Sequence, residues 1–115
     1  MKSKNRKRVF IIAEAGVNHN GSVSIAKKLV DAASEAGADA VKFQTFRAQE
    51  IVTSYAPKTP YQNKKSPRSE SQLAMLKKLE LDMAAHRDIM SYCARKNILF
   101  LSSPFDLSLF VYMLR

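Results

Sequence analysis

Three short apolar runs, each followed by polar turn residues, divide the chain into strand-sized pieces separated by helix-sized ones. The first, Val9-Phe10-Ile11-Ile12-Ala13, is β-branched and aromatic without alternation, and predicts a strand over 9–13 covered on both faces. Asn18-His19-Asn20-Gly21 reads as a turn and Ser22 as an N-cap. A helix follows through Ile25, Leu29, Ala32, Ala33 and Ala36, stopped by Gly37. A second strand is expected over 38–45, about thirty residues from the first, the size of a βαβ unit. From Arg47 to Arg68 the periodicity dissolves into a polar, basic stretch with Pro57, Pro60 and Pro67, a loop of functional or disordered length. Ser69-Glu70-Ser71-Gln72 has the capping-box pattern and opens a short helix carrying Leu73, Leu76 and Leu79. Asp82 is placed to cap the next helix, whose apolar face holds Ile89, Met90 and Cys93. A third strand over 98–102 ends at Ser103-Pro104-Phe105-Asp106.

Alternating strands and helices of this kind build a parallel α/β sheet, either doubly wound or closed into a (β/α)8 barrel, and the pattern is compatible with both. Both architectures place their chemistry at the carboxyl ends of the strands. Period-two parity groups Phe10, Ile12 and Glu14 on one face, with Ala40, Lys42 and Gln44 and then Leu99, Leu101 and Ser103 on the corresponding faces of the other strands. Each strand thus delivers a polar group to one mouth, while Val41, Phe43 and Thr45 face the helices. A carboxylate, an ammonium, a carboxamide and a hydroxyl converging there suit a small anionic substrate. Lys42 would neutralise it, Gln44 and Ser103 would orient it, and Glu14 would relay a proton or position water. A buried Glu14–Lys42 ion pair of structural value only is the alternative.

Charge changes this picture little. The net charge of +9 is concentrated in Lys2, Lys4, Arg6, Lys7 and Arg8 and in Lys58, Lys64, Lys65 and Arg68, with no aromatic residues interleaved on a strand, so nucleic acid is not the expected partner. No stretch reaches the roughly 20 apolar residues of a membrane span. The single cysteine, Cys93, reads as an inert core thiol in a reducing, cytoplasmic setting. His19 is expected in a turn near the pocket and His86 on a solvated helix face, and neither has a second ligand at metal-motif spacing, so no metal ligand is assigned.

The segments 11–22 and 36–46 resemble the first two strands of the sialic acid synthase family, which includes N-acetylneuraminate and legionaminic acid synthases. Ala56-Pro57-Lys58, Tyr61-Gln62, Glu70-Ser71-Gln72, the run 76–81 and Ser102-Ser103-Pro104-Phe105-Asp106 extend the resemblance from about Val9 to Leu107. It implies the N-terminal portion, about three βα units, of a (β/α)8 TIM-type barrel. The parts would be a basic, disordered leader over 1–8 and a partial barrel domain over 9–115, with the later strands and an antifreeze-like domain absent.

The implied reaction joins phosphoenolpyruvate to an open-chain N-acetylated amino sugar of the N-acetylmannosamine type, releasing a nonulosonic (sialic) acid and phosphate. A divalent metal, Mn2+ or Mg2+, would polarise the sugar aldehyde, its ligands lying outside this chain. By resemblance Glu14 and Lys42 are the catalytic pair; Lys42, Gln44, Ser103 and Asn18 contact substrate; and Tyr61, in the segment over the barrel mouth, helps recognise the sugar. The family is expected to be homodimeric.

Alone, the chain is expected to be inactive or to need a complementing C-terminal polypeptide. A non-catalytic basic binding module on the same scaffold is the alternative. The run 108–115 is almost continuously apolar where an amphipathic helix would alternate, which suits either a shifted reading frame after Phe105 or a cut or differently packed helix.

Overall fold

The structure, a computed structural model, describes residues 8–51 and 72–105. Three strands, β1 (Ile12–Gly16), β2 (Ala40–Thr45) and β3 (Leu99–Pro104), form one parallel sheet in sequential order. Between them lie α1 (Val23–Glu35), the short α2 (Ala48–Ile51) and α3 (Gln72–Lys77), and α4 (Met83–Arg95). The capping-box residues before Gln72, the segment 52–71 with Tyr61 and Gln62, and the apolar run 108–115 lie outside the described residues. No helix among the described residues is long and apolar enough to cross a membrane.

Both long helices begin where the sequence predicts. Ser22 is extended and its hydroxyl accepts from the Ile25 N–H at 3.2 Å, while Asp82 Oδ1 accepts from the Ala85 N–H at 2.7 Å. Their buried faces differ from the expected ones. On α1 the sheet is met by Ala26, Val30 and Ala33, and Ile25 and Ala32 turn outward. On α4 the buried row is His86, Ile89 and Cys93, whereas Met90 is 49% exposed. The expectation of a solvated His86 is therefore wrong. It is 3% exposed, and both of its ring nitrogens have partners, which is what permits an imidazole to take a core position.

These helices cover one face of the sheet. Ala15, Val41 and Phe43 pack with Val30, Ile89, Cys93 and the preceding coil residues Leu81 and Ile98, and Phe43 stacks on Phe100 with centroids 5.7 Å apart. Burial pushes the Cys93 thiol up to about 11, so it stays protonated and unreactive at neutral pH. A Tyr92 to Asp31 hydrogen bond of 2.6 Å and a Lys27–Asp88 ion pair of 3.1 Å tie α1 to α4 at the surface.

Among the described residues nothing covers the opposite face. Ile12 and Leu99 are 48% and 52% exposed there. β1 also starts later than 9–13, and for the same reason: a strand extends only as far as its partner. Ile11 still accepts from the Asp39 and Ala40 N–H groups, but Val9 and Phe10 pair with no strand among the described residues and are exposed. The guanidinium of Arg8, the described residue of the basic leader, pairs with Asp39.

Candidate functional site

The carboxyl ends of the strands bring the predicted polar residues together on the open face. The register places Glu14 beside Lys42, and Gln44 beside Ser103. Lys42 Nζ lies 3.0 Å from Glu14 Oε2, with the two side chains 37% and 52% exposed. The pair anticipated from parity is thus formed, but it is wet rather than buried. A solvated pair of this kind contributes little to folding, on the order of 0–1 kcal/mol, so its ammonium is free to exchange partners at small cost.

A glycine that sequence reasoning passed over shapes this corner. The β1–β2 register slips between Glu14 and Gly16, so that Ala15 is the extra residue of a β-bulge. Gly16 takes φ of +56°, and a Cβ there would stand 3.4 Å from Glu14 Oε1 and 3.9 Å from Gln44 Nε2. Glu14 and Gln44 therefore reach over a bare backbone from two strands, and a side chain at position 16 would occupy the ground between them. A glycine two residues beyond the polar Glu14, just past the predicted strand, was the available signal.

Beside this corner is an apolar recess of about 120 Å3, lined by Val17, Phe46, Leu76, Leu79 and Phe105 with Gln44 as its polar wall. Ser103 is half-buried, and Asn18 sits exposed in the turn after β1, its N–H donating to the Ala15 carbonyl at 3.0 Å. Tyr61 lies outside the described residues. Among the described residues no three His, Cys, Asp or Glu side chains gather to hold a metal ion. These residues do not by themselves fit a divalent ion.

His19 lies in the expected turn but is fully buried and faces Phe43 on the helix side, with ring centroids 6.1 Å apart. Its Nδ1 accepts from the Gly21 N–H at 2.9 Å, so the neutral ring carries its proton on Nε2, which has no hydrogen-bond partner among the described residues. Burial, and secondarily the neighbouring His86, holds the His19 pKa below its ordinary 6.5. In the unfolded chain the ring titrates normally. Above about pH 6.5 neither state binds this proton and the stabilising contribution is complete; as pH falls through that value toward the folded pKa, only the unfolded state gains a proton and stability is lost. The urea midpoint is expected to be lower at pH 5.5 than at pH 7.5, with a shallower fall in His19→Gln. Parallel falls in the two proteins would remove His19 as the cause.

Known proteins share this sequence and fold. The N,N'-diacetyllegionaminic acid synthase of Campylobacter jejuni is 52% identical over 101 residues, 88% of this chain and 30% of that protein. The enzyme of the same name from Legionella pneumophila is 50% identical over 97 residues, 84% of this chain and 27% of its own length. The crystal structure of the N-acetylneuraminic acid (sialic acid) synthetase of Leptospira borgpetersenii superposes with a TM-score of 0.69 at 30% identity, covering 94% of this chain and 35% of that one. The chain thus spans under a third of the length of these curated relatives. The three-stranded sheet is accordingly the N-terminal portion of a (β/α)8 barrel, with its open face the barrel interior. The NeuB family matches over residues 29–114, well over half of the sequence, and the chain belongs to that family.

Proposed function

We propose that this chain supplies the phosphoenolpyruvate-binding wall of a synthase that joins phosphoenolpyruvate to an open-chain N-acetylated amino sugar, yielding a nonulosonic acid and phosphate. The observation that carries this reading is the Lys42 ammonium on the open face at the strand ends, 3.0 Å from Glu14, with Gln44 and Ser103 in register beside it. Two of the related proteins are named as synthases of N,N'-diacetyllegionaminic acid, which supports a synthase of this kind of acid.

In the balanced reaction C3 of phosphoenolpyruvate bonds to the aldehyde carbon, whose oxygen takes up a proton. Water adds at C2, and phosphate leaves with cleavage of its C–O bond. Lys42 neutralises the anionic substrate. The Gln44 amide and Ser103 hydroxyl donate hydrogen bonds that orient it, and Glu14 holds the attacking water or accepts its proton. The described residues form one wall of such a site, so the chain by itself is expected to bind phosphoenolpyruvate without turning it over. The buried free thiol of Cys93 suits a reducing, cytoplasmic setting.

Titration of the labelled 115-residue chain with phosphoenolpyruvate, followed by NMR, tests this. The signals of Gly16, Lys42 and Gln44 are expected to move on binding, and Lys42→Met is expected to weaken binding by about tenfold or more, the worth of a charge-assisted contact to an anion. Equal affinity in Lys42→Met, or shifts confined to other residues, would overturn the reading.

A further inference from the structure

Behind Gln44 and Ser103, on the helix-facing side of the sheet, the next side chain of β2 and the preceding one of β3 belong to a hydrogen-bonded chain. His86 Nδ1 lies 2.9 Å from the Asp82 backbone carbonyl, and His86 Nε2 lies 2.9 Å from Thr45 Oγ1. Thr45 Oγ1 in turn shares a hydrogen bond with Ser102 Oγ. Thr45 and His86 are 1% and 3% exposed.

The chemistry of the groups sets the direction of this chain. A carbonyl can only accept, so the neutral His86 ring carries its proton on Nδ1 and presents Nε2 as an acceptor. Thr45 must then donate to Nε2, and Ser102 must donate to Thr45. The far end is rigid, because Asp82 also caps α4 through its own side chain. The chain joins the helix start to β2 and β2 to β3 at the level where the Gln44–Ser103 pair looks out on the other face.

We infer that Asp82, His86, Thr45 and Ser102 form a positioning relay that sets the orientation of Gln44 and Ser103 toward their ligand. The ligand half of this inference rests on the phosphoenolpyruvate reading above. None of the four touches the ligand; they act through the strand backbone. Parallel pairing alone fixes which residues are neighbours. The relay adds a side-chain link between β2 and β3 beside the ladder, whose backbone bonds continue past it to the Phe105 N–H on the Thr45 carbonyl, and so restrains the strands sideways on the face opposite Gln44 and Ser103.

Two variants at one position separate a hydrogen-bonding role from packing. Thr45→Val keeps the shape and loses the hydroxyl; Thr45→Ser keeps the hydroxyl and loses the methyl. In the 115-residue chain, imidazole 15N spectra are expected to show His86 protonated at Nδ1, with the Nε2 signal moving downfield in Thr45→Val and returning in Thr45→Ser. The Gln44 side-chain amide and Ser103 backbone amide signals should move in Thr45→Val, and phosphoenolpyruvate affinity should fall about fivefold, the worth of one buried hydrogen bond. Thr45→Ser should restore both.

Unmoved Gln44 and Ser103 signals in Thr45→Val overturn the positioning role with no ligand present. Unchanged affinity in that variant, with Lys42-dependent binding in the wild type, overturns it with the ligand. If the wild type binds no phosphoenolpyruvate, the function proposed above fails, and the amide signals alone decide the relay.

Discussion

Phe43→Ala is expected to destabilise the chain by about 3–5 kcal/mol, enough to abolish a cooperative unfolding transition at room temperature. Phe43 is completely buried in the middle of the central strand, stacked on Phe100 and tilted against His19. Truncation removes the largest fully buried side chain among the described residues and leaves a cavity that neighbours on strands and helices cannot close without moving the sheet. A three-stranded sheet covered by helices on one face has little stability in reserve. Circular dichroism during urea titration measures the effect, and Phe43→Leu, which keeps most of the volume, should cost much less. A Phe43→Ala protein with a midpoint near that of wild type would show that the core is anchored elsewhere. The phosphoenolpyruvate binding proposed for this chain should disappear with the transition, since Lys42 and Gln44 flank Phe43 on the same strand.

Gly21→Ala is the second substitution with a large expected cost, about 3 kcal/mol, although Gly21 is not in the core. Its φ of +78° already disfavours a side chain, and an added Cβ would come 2.2 Å from the Lys78 carbonyl oxygen. That atom is backbone, so the collision cannot be relieved by a rotamer change. Either the 17–21 turn or the segment leading to Asp82 must shift. The shift would also disturb the Gly21 N–H to His19 contact and the start of α1. Thermal melting of Gly21→Ala beside Gly37→Ala is the informative comparison. Gly37 has a similar φ of +83°, but a methyl group added there would meet nothing within 4 Å, so it should lose only the conformational part of the cost. Equal losses at the two positions would rule out the close approach to Lys78.

Much of the site was legible because a parallel strand imposes a two-residue period and its carboxyl end is where polar residues have a use. Glu14, Lys42, Gln44 and Ser103 all appear on the face and at the level that parity assigned to them. The N-caps Ser22 and Asp82 were equally readable, since capping is a contact between residues three apart. What escaped was longer in range. The bulge at Gly16 arises from the β1–β2 register, and the burial of His86 depends on a threonine 41 positions away. A histidine on a helix carries no local mark of whether a distant hydroxyl will meet it.

The sequence by itself therefore determined the order and kind of the elements, the helix starts and the face on which the polar quartet stands, because each of these depends on residues a few positions apart. It also carried the family resemblance. Only the tertiary structure decided which helix residues meet the sheet, where β1 begins, that Lys42 and Glu14 pair in contact with solvent, and that Thr45, His86 and Ser102 join behind the site. Each of those depends on which strand lies beside which, and on how closely a helix approaches, quantities set by the packing of the whole chain and not by any local stretch of it.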